Sequence, residues 1–80
     1  MELFISDALE KGIRAHKDNK IDEAVYFYEK VLNANAHQAD ANHNLGIIRL
    51  NQGRIKEAIE LFRTATKNGP HFEQYWLSYI

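Results

Sequence analysis

Four histidines, His16, His37, His43 and His71, are the side chains of this sequence best able to ligate a metal ion. Two imidazoles on one helix share an ion when about one turn separates them. No two of these sit three or four residues apart on a common helix, so no metal site and no cofactor is expected. The run Asp18-Asn19-Lys20-Ile21-Asp22-Glu23 looks like the start of a calcium loop. It fails because Lys20 stands at a ligand position and Glu23 where the loop needs a turn glycine. Ser6 and Ser78 have no identifiable base partner, and the chain has no cysteine, no phosphate-cradling glycine loop and no Gly-x-Ser-x-Gly. Catalysis is not expected. The chemistry that remains is recognition. Asn44 can donate and accept through one amide, beside His16 and His43 and the apolar residues Leu9, Ile13 and Ile47.

Charge narrows the partners. Ten basic and eleven acidic residues give a net charge of −1, so no bulk field recruits nucleic acid or anionic lipid. Arg49, Arg54, Lys56 and Arg63 are scattered among Glu57 and Glu60 and read as solvated surface. Glu10 with Arg14 and Lys56 with Glu60 read as ordinary i, i+4 pairs. The opening Met-Glu-Leu-Phe-Ile-Ser has no basic region and too short an apolar run for a signal peptide. No stretch approaches membrane-spanning length, and the absence of cysteine suits a reducing compartment, so a cytoplasmic location is expected.

The elements that must position these residues are written in an internal repeat. A shift of 34 positions brings Gly12 onto Gly46, Ile13 onto Ile47, Ile21 onto Ile55, Glu23 onto Glu57, Ala24 onto Ala58 and Tyr28 onto Phe62. Within each copy the apolar residues follow helical spacing. Ile21, Ala24, Val25, Tyr28 and Leu32 form one stripe, and Ile55, Ala58, Ile59, Phe62 and Ala65 the other. Upstream, Ile5, Ala8, Leu9, Gly12, Ile13 and His16 predict one first helix, and Ala41, Leu45 and Ile48 with Gly46 predict the second. Asn19 and Gly53 fall at matching turns, where both tolerate a positive φ. Asn68-Gly69-Pro70 is a helix stop, and Asn35 and Ala36 take the places of its glycine and proline one repeat earlier, which predicts a left-handed Asn35. His37 and His71 follow these stops as polar helix-start residues.

In that order, Leu45, Gly46, Gly53, Ala58, Phe62, Ala65 and Pro70 resemble the tetratricopeptide repeat. The resemblance implies an all-α fold of antiparallel helix-turn-helix repeats stacked as an α-solenoid. The single domain, 1–80, would hold repeat 1 at about 5–38, repeat 2 at about 39–72 and a partial third repeat or capping helix at 73–80, five helices in all. The first copy keeps Gly12, Ala24 and Tyr28, but has Lys11 where the motif usually has Leu and Ala36 where it usually has Pro. Trp76 and Tyr79 fall on the Trp and Leu positions of a third copy, and an end inside that helix suggests a piece of a longer array. Gly12 and Ala24, like Gly46 and Ala58, would remove bulk where paired helices cross, while Tyr28 and Phe62 fill the space toward the next repeat.

In such arrays the first helices line a concave groove. The equivalent positions here are Leu9, Ile13, His16 and Lys17, then Asp40, His43, Asn44, Ile47 and Asn51, flanked by Ser6, Glu10, Gln74, Leu77 and Ser78. The resemblance therefore implies a non-catalytic scaffold that binds a protein or peptide segment. Ile13 and Ile47 admit two readings, groove contact or packing between first helices. Family members that dock the carboxylates of chaperone tails use a clamp of Lys and Asn, then Asn, then Lys and Arg, and only Asn44 matches it. Capture of a chaperone tail is not expected. Stretches 41–46 and 72–80 also look like the arrays that precede glycosyltransferase or sulfotransferase domains in some bacterial proteins. The alternatives are thus a segment of such an enzyme or a self-association module, with monomer favoured over homodimer.

Overall fold

A computed structural model of the chain describes residues 2–68. It contains four helices, α1 (Glu2–Lys17), α2 (Ile21–Ala34), α3 (Ala39–Asn51) and α4 (Ile55–Asn68), and no strand among the described residues. The fifth helix expected at 73–80, with Pro70 and His71, lies outside them. Each helix packs on its sequence neighbour, and α1 also meets α3 over a short stretch.

The burial pattern follows from helical spacing. Ala24, Tyr28 and Val31 of α2 are buried at i, i+4 and i+7, and Ala58, Phe62 and Ala65 of α4 occupy the same places 34 residues on. On α1 the buried residues are the small Ala8, Gly12 and Ala15. Their stripe lets α2 approach closely. A Cβ built on Gly12 would lie 2.8 Å from Cε1 of Tyr28, and one on Gly46 would lie 2.8 Å from Cε1 of Phe62. Both aromatic rings thus rest against a glycine of the preceding helix. Helix α3 lies between α2 and α4 and has no single apolar stripe, because Ala41, Leu45 and Ile48 are buried together with Asn42, His43 and Gly46.

The turns inside the two hairpins are built alike. Asn19 has φ 60° and Gly53 φ 79°. Lys20 N–H donates to Ala15 O at 2.8 Å and Arg54 N–H to Arg49 O at 2.8 Å. This closes each helix with a bond that spans five residues around a left-handed C′ residue. The turn between α2 and α3 departs from expectation. Asn35 is extended, with φ −148° and ψ 96°, rather than left-handed. Its side-chain oxygen instead accepts from His37 N–H at 3.0 Å, a local bond that a glycine could not make. Helix α3 is then capped by Gln38, whose Oε1 accepts from Ala41 N–H at 2.7 Å, and not by His37. Buried Asn42 secures the same turn by donating to Ala36 O at 3.1 Å and Gln38 O at 2.8 Å.

Surface pairs divide. Glu10 and Arg14 meet at 3.1 Å. Lys56 does not hold Glu60, which Arg63 takes at 2.7 Å. Arg49, read as solvated, has a side chain only 12% exposed and reaches Glu29 of α2 at 3.3 Å, tying α3 to α2.

Candidate functional site

Ile13, His16 and Lys17 stand at i, i+3 and i+4 on α1 and so share one face of that helix. With Tyr28 of α2 and Asn44 of α3 they line an open concavity of about 290 Å³. Three helices therefore contribute to one small site. At its floor, Tyr28 is completely buried, yet its hydroxyl has a partner. It stands 3.2 Å from Nδ1 of His16, within hydrogen-bond distance of the ring. The two rings meet edge to face with centroids 6.0 Å apart. Asn44 lines the same concavity beside this hydroxyl.

Burial sets the protonation of this cluster. It pushes the Tyr28 hydroxyl up to about 12, against the opposing influence of the Asn44 side chain, so Tyr28 is a neutral phenol at physiological pH. It also pulls His16 below its ordinary 6.5. The Lys17 ammonium pairs with none of the described carboxylates. The site is thus a shallow pocket with one apolar wall, neutral hydrogen-bonding groups at the floor and a cation at the rim. That combination suits recognition of a polar segment carrying small apolar side chains.

The remaining positions expected on this face are placed differently. Leu9 is half-buried against the core, and Ile13 packs on that core while also lining the pocket. Ile47 is half-buried, and Asp40 and Asn51 are exposed. His43 is a correction. It is only 6% exposed and its ring packs on Phe62 at 5.8 Å between centroids, so it belongs to the packing of α3 on α4. Burial pulls its ring below the ordinary 6.5, partly offset by the Asp40 carboxylate. Among the described residues no three His, Cys, Asp or Glu side chains converge as a metal site would require, and no helix is long and apolar enough to cross a membrane.

Two features escaped the sequence reading. One is the Tyr28 hydroxyl as a polar floor, whose signal was the exchange of Tyr28 for Phe62 between copies. The other is a wider concavity of about 470 Å³ on the side of α3 that faces Glu29, floored by Leu45 and Leu61 and rimmed by Arg49, Lys56, Glu57 and Glu60. No spacing rule brings those residues together.

Comparison with known proteins adds one match. The family model described as tetratricopeptide repeat matches residues 15–78. No curated protein and no solved structure matches the chain.

Proposed function

Because the chain belongs to the tetratricopeptide repeat family, we propose that it is a non-catalytic interaction scaffold that takes up a peptide segment on the face of α1 and α3. The observation that carries this reading is the pocket into which α1, α2 and α3 together place Ile13, His16, Lys17, Tyr28 and Asn44. An extended peptide would set an apolar side chain beside Ile13 and hydrogen-bond Asn44, and Leu9, Asp40, Ile47 and Asn51 would extend the contact along the same helices. The stacking that makes such a face continuous is that of an α-solenoid. Ile55 and Ile59 of α4 are 49% and 46% exposed, whereas their counterparts Ile21 and Val25 are half-buried. A partial third repeat at 73–80 would cover them in a monomer.

The test is selection of peptides from a random display library against the whole chain, followed by titration into variants. Selected peptides are expected to lose about tenfold in affinity, roughly 1.4 kcal/mol, on Asn44→Ala or Ile13→Ser and to ignore Ile59→Ser on α4. Binders that respond only to Ile59→Ser would place recognition elsewhere and end this reading. An acidic chaperone-tail peptide is expected not to bind at all, since Leu9 and Ile13 stand where the clamp has its first cation and amide.

A further inference from the structure

The two hairpins are built in one register, since Gly46 lies against Phe62 as Gly12 lies against Tyr28. Leu50 and Asn51 of α3 therefore hold the places that His16 and Lys17 hold on α1. The concavity lined by Ile13, His16, Lys17 and Tyr28 has as its counterpart, one repeat on, the set Ile47, Leu50, Asn51 and Phe62. The exchanges run in one direction. The imidazole becomes an aliphatic group, the ammonium an amide and the phenol a phenyl ring, while the isoleucine keeps its type. Leu50 is 40% exposed, and Ile47 stands beside it at i, i+3 on the same face of α3. Lys17 is exposed, and its ammonium pairs with none of the described carboxylates. The face shared by α1 and α3 thus has two unlike ends, a polar cationic one on α1 and an apolar one on α3.

We propose that the groove selects an extended segment carrying one carboxylate, seated at Lys17, and one aliphatic side chain, seated over Ile47 and Leu50. Charge complementarity supports the first contact. An ammonium without a partner, at the rim of a concavity that also holds the polar His16 and Asn44, offers a carboxylate both an opposite charge and hydrogen-bonding groups. The second contact follows from Leu50, whose exposed apolar surface leaves water when an aliphatic side chain covers it. The packing of α1 near α3 sets the distance between the two seats. Packed helices lie roughly 8 to 10 Å apart and an extended segment advances about 3.3 Å per residue, so the two side chains stand about three residues apart. One cation seats one carboxylate, so a multiply charged acidic tail remains unsuited to this groove. The concavity on α4 also sets cations, Arg63 and Lys67, beside an isoleucine, Ile59. Arg63 is already held by Glu60 at 2.7 Å, and this second place serves as the control. The inference rests on the groove reading and adds to it the chemistry that the groove selects.

The experiment reads the peptides that a random display library yields on the whole chain position by position, then titrates them as synthetic peptides. The expected result is enrichment of Asp or Glu about three residues from Leu, Ile, Val or Met. Lys17→Asn, which repeats the residue found at position 51, is expected to weaken such a peptide about twofold to fivefold. Exchanging the peptide's carboxylate for its amide has the same effect. In a double-mutant cycle the two losses do not add, because both remove one contact. Leu50→Ser weakens the same peptide about tenfold, and Lys67→Asn on α4 leaves it unchanged. Lys17 also stands in the last turn of α1, where a cation complements the helix dipole. If that were its whole role, Lys17→Asn would lower stability and leave peptide preference alone. Peptides that need Asn44 or Ile13 yet show no acidic preference, or keep it in Lys17→Asn, overturn this inference and leave the groove reading standing. Peptides that respond only to Ile59→Ser, or a library that yields none, remove both.

Discussion

Asn42 illustrates how one buried side chain can secure a connection that backbone propensity leaves loose. Its amide donates to two carbonyls of the turn between α2 and α3, and it is almost fully buried. Asn42→Ala is expected to cost about 1 to 3 kcal/mol, because the carbonyl of Ala36 would be left without that donor in a part-buried setting. Chemical denaturation measures this directly, and a midpoint equal to the native chain would contradict the role. The corresponding residue of the first copy is Ala8, so repeat comparison could not have drawn attention to Asn42. The Tyr28 hydroxyl was hidden for the opposite reason. Tyr28 and Phe62 share a place in the packing pattern, and the pattern registers the ring but not the oxygen. His43 was assigned to the groove because α3 buries more than one side, and helical spacing separates faces only where one of them is wet.

Glycines on helices and glycines in turns should fail differently. Gly46 lies within a helix with the Phe62 ring against it, so Gly46→Leu is expected to cost on the order of 1 to 3 kcal/mol by overpacking α3 against α4. Ala58→Leu belongs to the same class, since Ala58 is buried on the facing helix. At Gly53 a new Cβ would meet nothing within 4 Å, and the cost arises wholly from φ 79°. Gly53→Ala is therefore expected to cost about 1 to 2 kcal/mol, while Gly53→Asn, the residue found at the matching turn, costs less. Denaturant midpoints for the four variants check the ordering, and a harmless Gly46→Leu would refute the close packing. The existence of α2 and α4 and the turns at Asn19 and Gly53 were legible in the sequence because local spacing and local backbone chemistry determine them. The turn at Asn35 was not, because an Asn offers either a left-handed backbone or a side-chain acceptor, and the neighbours decide between them. The ion pair of Arg49 with Glu29 joins residues 20 apart in sequence and belongs to no single helix. Of the residues expected along the first helices, Ile13, His16, Lys17 and Asn44 line one concavity, whereas the floor that joins them required the approach of three helices.

For the whole molecule, acid is the condition that should reveal the buried imidazoles. Burial lowers the proton affinity of both His16 and His43 in the folded chain. The unfolded chain then binds more protons below pH 6.5, so stability is fully present above that value and falls as the pH drops through the folded values. A chain carrying both His16→Leu and His43→Leu, the residues found at positions 50 and 9, should lose this acid-side slope in thermal melts between about pH 7 and 5. A slope unchanged in the double variant would assign the effect to other groups. A different consequence follows from the order of contacts, in which each helix rests on the one beside it in sequence. Closing such short loops costs little entropy, so folding should be fast and able to begin in either hairpin. Opening should be equally local. Amide protons of α4 can exchange with solvent while α1 and α2 stay closed, and a lesion at Gly46 would hasten exchange in one half of the chain without being felt at its beginning.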